Sequence, residues 1–181
     1  MNPALAADVA GTLAAYEDRY GTPSGRVGFL RAALDDGRSV TSLKTSPSTS
    51  PAVSSSEIPT DGCFRSATGR STGGLFPGGH LEPDDASLIA AARREAVEET
   101  GLVASDSGAT EVHPVPIDID IHPIPANDGK GEPEHYHADF RYVVQVIEGA
   151  IQLQADEVTD WRWADPEQIN NPRLAQRLSS L

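Results

Sequence analysis

Cysteine is almost absent: Cys63 is the single one, which excludes an internal disulfide and fits a reducing compartment. Long apolar runs are missing too. No stretch approaches the ~20 apolar residues of a membrane span, and the N-terminus has neither a basic start nor an apolar core of signal-peptide length. A soluble, cytoplasmic protein with no membrane partner is therefore expected. Basic residues are scarce, with 14 Lys and Arg against 27 Asp and Glu, a formal net charge of -13. Proteins that bind a nucleic-acid duplex or RNA usually need basic patches to displace counterions, so the charge argues against such a partner. A phosphate ligand is not excluded, because carboxylates can hold divalent cations that in turn bind phosphate. The plainer reading of the acidity is solubility.

What remains is a chain of 181 residues with 38% apolar content, about one domain and long enough to bury a core. Three regions differ in character. Residues 1–40 form an N-terminal helical segment: Ala4 to Tyr20 has helical composition stopped by Gly21-Thr22-Pro23, and Val27 to Leu34 reads as a second short helix. Residues 41–74 are rich in Ser, Thr, Pro and Gly, lack usable apolar periodicity and read as an irregular loop or linker. Residues 75–181 carry the core of the domain. There Pro83 to Thr100 reads as a strong helix, N-capped by Asp84 or Asp85 and stopped by Gly101. Val112 to Ile121 alternates, with Ile117, Ile119 and Ile121 set against Asp118, Asp120 and His122. After a Pro/Gly-rich loop, a second run puts His135, His137, Asp139 and Arg141 opposite Tyr136, Ala138, Phe140 and Tyr142. Such alternation predicts two half-buried neighbouring strands. Trp161 to Trp163 gives one more strand and Pro166 to Leu178 a closing helix. This order of elements predicts an α+β fold or an α/β/α sandwich.

The chemistry is concentrated between Gly78 and Leu102. On a helix Glu95, Glu98 and Glu99 stand at i, i+3 and i+4, so their carboxylates share one face. Crowded anions repel unless a cation sits among them, and hard divalent ions such as Mg²⁺ or Mn²⁺ favour such an oxygen set. An isolated Glu-x-x-Glu-Glu would more often be a solvated face paired with Arg93 and Arg94.

Context changes that balance. Arg94, Glu95, Ala96, Glu98, Glu99, Gly101 and Leu102 match without a gap the Arg-Glu-apolar-x-Glu-Glu-x-Gly-apolar run of the Nudix box, and the stretch resembles that of a Nudix hydrolase. It departs in one place: Asp85 stands where the family usually has a Glu, and the span to Arg94-Glu95 is one residue longer, which puts any role of Asp84 or Asp85 in doubt.

The resemblance implies a Nudix-type α/β/α sandwich with a mixed β-sheet. It implies Glu95, Glu98 and Glu99 as ligands of Mg²⁺ or Mn²⁺, with the Gly78 carbonyl joining them and Arg94 orienting the glutamates. A further acid is expected shortly before a late strand. Glu157, six residues before Trp163, is the candidate extra ligand or general base, with Asp156 and Asp160 as competitors. The implied reaction is hydrolysis of a pyrophosphate bond in a small-molecule nucleoside diphosphate derivative, with Glu98 or Glu157 taking the proton from water. A homodimer is also in keeping with the family.

The polar strand face is the candidate substrate site. Arg141 would contact phosphate, while His135, His137, Asp139 and Asp120 would meet a base, a phosphate or another metal. The alternative is an ordinary exposed sheet face, which polar alternation produces anyway.

The middle of the chain conflicts with the resemblance. The family fold needs a β-hairpin before the glycine loop, and residues 41–74 contain nothing that reads as one, so the first hairpin is expected to be missing. A one-base shift of reading frame over Thr45 to Gly74 permits instead a strand, a Gly-Asn-Pro-Asp-Gly turn and a second strand, ending Arg-Lys-Val-Asp-Arg-Trp before Leu75. On that reading the box shows descent rather than present activity. The second functional reading is accordingly a catalytically weak or inactive protein of the same fold that binds a nucleotide or a protein partner. Isopentenyl diphosphate isomerisation on this fold ranks lower, because its cysteine would have to be Cys63, inside the atypical segment.

Overall fold

The structure, a computed structural model, describes residues 3–21, 25–35, 42–51, 63–67, 78–82, 84–100, 110–129, 131, 133–146 and 160–181. Two helices open the chain, α1 (Pro3–Tyr20) and α2 (Arg26–Asp35). Strands β1 (Ser42–Pro51), β2 (Cys63–Ala67) and β3 (Gly79–His80) lead to helix α3 (Leu88–Thr100). Then come β4 (Thr110–Val112), β5 (Asp118–Ile124), β6 (His135–Val146) and β7 (Asp160–Ala164). A 3-10 turn at Pro166–Gln168 and helix α4 (Pro172–Leu178) close the chain.

Five strands form one mixed sheet. β3 pairs antiparallel with β1, β1 runs parallel to β6, and β4 and β5 both pair antiparallel with β6 at different points along it. β2 and β7 make a separate two-stranded antiparallel sheet. This is the expected α+β architecture with a mixed sheet.

The apolar side of the β5–β6 alternation makes the main core. Ile119, Ile121, Ala138, Phe140, Tyr142 and Val144 pack with Val9, Leu13 and Tyr16 of α1, Val27 and Leu30 of α2, and Leu88 and Ala92 of α3. The a/d-like spacing of Val9, Leu13 and Tyr16 explains why α1 buries this stripe. Each fully buried Leu or Phe contributes roughly 1.5–3 kcal/mol relative to exposure. A smaller cluster joins Ile117 and Val143 to Ile169 and Leu174 beside α4.

Three sequence expectations need correction. Residues 42–51 and 63–67 are strands, not irregular chain, although they lie in different sheets and do not pair as a hairpin. The β1 ladder is a backbone pairing ten residues long, so it needs no apolar alternation. Pro47 and Pro51 stand in it all the same, without an N–H to give a neighbour. Second, α3 begins at Leu88, not Pro83. Its first turn is satisfied by Ser87, whose Oγ accepts from the Ala90 N–H (3.1 Å), and by Asp8 of α1, whose carboxylate accepts from the Leu88 N–H (2.8 Å). Third, the run from Val112 to Ile121 is two strands. His113 to Ile117 leaves the regular ladder between them.

Candidate active site

β3 and α3 meet at a glycine. A Cβ on Gly79 would overlap the Glu95 carboxylate, so any side chain there would push Glu95 out of its place. Gly78 beside it takes φ 155°, a backbone conformation that L side chains rarely adopt. The box glycines thus set β3 directly under Glu95.

Around them Arg94 organises the carboxylates. Its Nη1 donates to Glu95 (2.7 Å) and Glu98 (3.0 Å), and its Nη2 donates to Asp85 (2.9 Å) and to the carbonyl of His80 (3.1 Å). Nε also donates to Asp85 (3.2 Å), which makes that pair a two-pronged fork. Asp85 is itself buried and accepts from the Glu82 N–H at 2.7 Å. Burial alone would raise its carboxyl, but the Arg94 hydrogen bonds, the Glu82 N–H and the Arg94 charge outweigh that and hold it below the usual carboxylate range. Arg94 is pushed above its ordinary value, first by its bond to Asp85. Glu95 goes the other way: burial raises its carboxyl above the usual range against the pull of Arg94.

One guanidinium therefore serves four carboxylates: Asp85, Glu95 and Glu98 at hydrogen-bond distance and Glu82 at 3.8 Å. Glu99 follows on the same helix, its side chain outside the described residues. The surplus is negative, Asp85 and Glu95 are buried, and the donors are carboxylate and carbonyl oxygens. Such a set fits a hard divalent cation.

Of the residues singled out from sequence, Arg94, Glu95 and Glu98 come together with the Gly78–Gly79 turn. Glu157 and Asp156 lie outside the described residues, and Asp160 opens β7. Asp85 was read from sequence as a candidate helix N-cap with no firm part in the box, yet it is the firmest anchor of Arg94. The signal for it was faint: an acid nine residues before an arginine, across a loop whose path the sequence does not give.

The polar strand face forms a second group. The β5–β6 register sets Asp118 opposite Arg141, Asp120 opposite Asp139, and His122 opposite His137. Arg141 is turned towards carboxylates. Its Nη1 lies 2.7 Å from Asp118, and its Nη2 lies 3.6 Å from both Asp120 and Asp139. His135 and His137 approach through their Nε2 atoms at 3.1 Å, and the ring edges of His80 and His122 lie against His137. Four of the five histidines thus converge. His80 belongs both to this group and, through its carbonyl, to Arg94.

A scan of family models matches the NUDIX domain over residues 63–181, about two thirds of the chain. The chain belongs to the NUDIX family. A probable DHNTP pyrophosphohydrolase of Lactococcus lactis is 37% identical over 79 residues, 44% of this chain and 43% of that protein. The chain thus spans less than half the length of this curated relative. Solved structures share the fold. The Ap4A hydrolase of C. elegans in a binary complex superposes with TM-score 0.56 at 15% identity, over 77% of this chain and 96% of that one. The dihydroneopterin triphosphate pyrophosphohydrolase of E. coli superposes with TM-score 0.55 at 11% identity, over 77% and 93%. Among the described residues of this NUDIX protein, no helix is long and apolar enough to cross a membrane.

Proposed function

We propose that the protein hydrolyses a pyrophosphate bond in a nucleoside diphosphate linked to another group, with Mg²⁺ or Mn²⁺ as cofactor. The observation that carries the reading is the crowding of Asp85, Glu95 and Glu98 on the single cation Arg94, with Glu95 pressed against Gly79. NUDIX relatives named as pyrophosphohydrolases support the reaction class.

Glu95, Glu98, Glu99 and the Gly78 carbonyl would hold the cation. When bound, it would neutralise pyrophosphate charge and lower the pKa of a water. Arg94 fixes the rotamers of Glu95 and Glu98, so their oxygens are positioned before substrate arrives. Glu98, the exposed member, accepts the proton from the attacking water, and Glu157 is its competitor for that role. The face bearing Asp120, His135, His137, Asp139 and Arg141 is the candidate wall for substrate, joined to the box through His80.

The test is a panel of nucleoside diphosphate derivatives with and without Mg²⁺ or Mn²⁺, beside Glu98→Gln and Glu157→Gln. Metal-dependent release of a nucleoside monophosphate is expected. It should fall on the order of 10²–10⁴-fold in whichever variant removes the base. Folded protein with no turnover on any member would overturn the hydrolase reading.

A second reading is favoured by one observation. Pro47 and Pro51 occupy ladder positions in β1, opposite Tyr142 and Val146 of β6. A sheet weakened there would leave a NUDIX fold that binds a nucleotide or a partner without efficient turnover.

A further inference from the structure

The box is a site of oxygen donors. Across the sheet from it stands a cluster of different chemistry. Asp120, His122 and Asp139 offer one ligand atom each, all within 4.8 Å of one another. They come from two strands whose register fixes them: Asp120 opposite Asp139, and His122 diagonal to Asp139 and opposite His137. Directly paired and diagonal side chains on one sheet face are neighbours by geometry, so the cluster is built by the ladder rather than by chance rotamers.

One detail of its geometry points to a ligand. His122 Nδ1 is buried and makes no hydrogen bond, and it stands 3.7 Å from Asp120 Oδ2. That separation is too long for a hydrogen bond. It is close to the ~3.3 Å between two donors on one tetrahedral ion with bonds of about 2.0–2.1 Å. Arg141 Nη2 sits 3.6 Å from each carboxylate, an ion-pair distance beyond hydrogen-bond length, while its Nη1 is committed to Asp118 at 2.7 Å. The rings of His122 and His137 adjoin edge to face with centroids 5.7 Å apart, and His137 Nε2 lies 3.1 Å from His135 Nε2.

We propose that Asp120, His122 and Asp139, with His137 as the adjoining imidazole, form a binding site for a divalent first-row transition ion such as Zn²⁺, distinct from the box site. Imidazole nitrogen with carboxylate oxygen suits Zn²⁺ or Co²⁺, whereas the all-oxygen box suits Mg²⁺ or Mn²⁺. The site stands on the strand geometry and does not depend on the hydrolase reading.

The experiment uses the full chain, purified without a metal-binding tag, stripped with a chelator and loaded with Zn²⁺ or Co²⁺. Zinc is counted after gel filtration, and the visible absorption of Co²⁺ reports nitrogen coordination. One retained Zn²⁺ per chain is expected, with binding weakened at least about tenfold in His122→Asn and in Asp139→Asn, and unchanged in Glu98→Gln. Two separate variants are used, and circular dichroism of the stripped proteins shows that each is folded; His137→Gln replaces either one that is not. Three results would overturn the proposal: no zinc retained by the wild type, retention unaffected by the strand variants, or loss in Glu98→Gln, which would put the ion at the box. Because the readout is metal content, failure of this site and failure of the pyrophosphatase assay are separate outcomes.

Discussion

Asp118 and Asp120 are two residues apart on one strand face, and the protein treats them as opposites. Asp118 is wholly buried and bound by three arginines: Arg141 at 2.7 Å, Arg173 Nε at 2.7 Å and Arg177 at 3.4 Å. Asp120 is half-buried, with Arg141 at 3.6 Å and His122 at 3.7 Å among its neighbours. The same residue type in the same alternation therefore serves two ends. Near α4 it is a structural anion that pins the closing helix to the sheet, since Arg173 and Arg177 both come from that helix. Towards His122 and His137 it faces a cluster shaped for a ligand. A buried carboxylate must have its charge compensated in place, whereas a half-buried one keeps part of its hydration.

The largest effect should follow Asp118→Ala. It leaves Arg141, Arg173 and Arg177 around an empty anion position, and breaking a buried pair on one side typically costs about 3–5 kcal/mol. Partial exposure of the arginines favours the lower end of that range. Urea unfolding should show a clear drop in midpoint. Asp120→Asn is its counterpart: we expect a stability change of no more than about 1 kcal/mol, in keeping with a partly exposed pair. Equal losses in the two variants would erase the distinction between the two ends.

Next in size is Asp85→Asn. It removes the fork on Arg94, where a charged hydrogen bond contributes about 1.5–3 kcal/mol. The guanidinium should then lose its fixed pose between Glu95 and Glu98, so we expect kcat of the proposed hydrolysis to fall more than stability does. A loss of stability with unchanged kcat would reduce Asp85 to a loop staple.

These contrasts also mark how far the sequence could be read. The helices α1 and α2 and the strands β5 and β6 were legible because their apolar spacing has a single period and their core lies on one side. Glu95 and Glu98 were legible as neighbours from helical spacing, and Arg94 as their partner from the resemblance to the Nudix box. Asp85 was not, because its partner is reached across a loop. Nor was the true start of α3, since Asp8, eighty residues earlier, accepts from its first N–H. β1 was invisible for another reason: its Ser, Thr and Pro residues carry no apolar alternation, and the strand shows itself in its backbone ladder with β6. The arginines of α4 on Asp118 and the meeting of His80 with His137 depend on how elements pack. Spacing along one strand shows only half of such a site.

The smallest effect concerns acid. Asp85 has a carboxyl held below the ordinary range, so it binds its proton less readily in the folded chain than in the unfolded one. Its contribution to stability is then complete above the unfolded value of about 4 and is lost as the pH falls through the lower folded value. Burial alone would have had the reverse sign, so the direction rests on Arg94 and the Glu82 N–H. Stability of the wild type and of Asp85→Asn should run parallel as the pH falls from neutrality to about 5, then converge at lower pH as the wild type loses what the variant never had. Curves that stay parallel down to about pH 2 would mean that Asp85 ionises alike in both states and that Arg94 holds it by shape alone. The comparison of the two strand ends would then extend to the box: Asp118 would be the anion whose charge the fold requires, and Asp85 one whose charge it only accommodates.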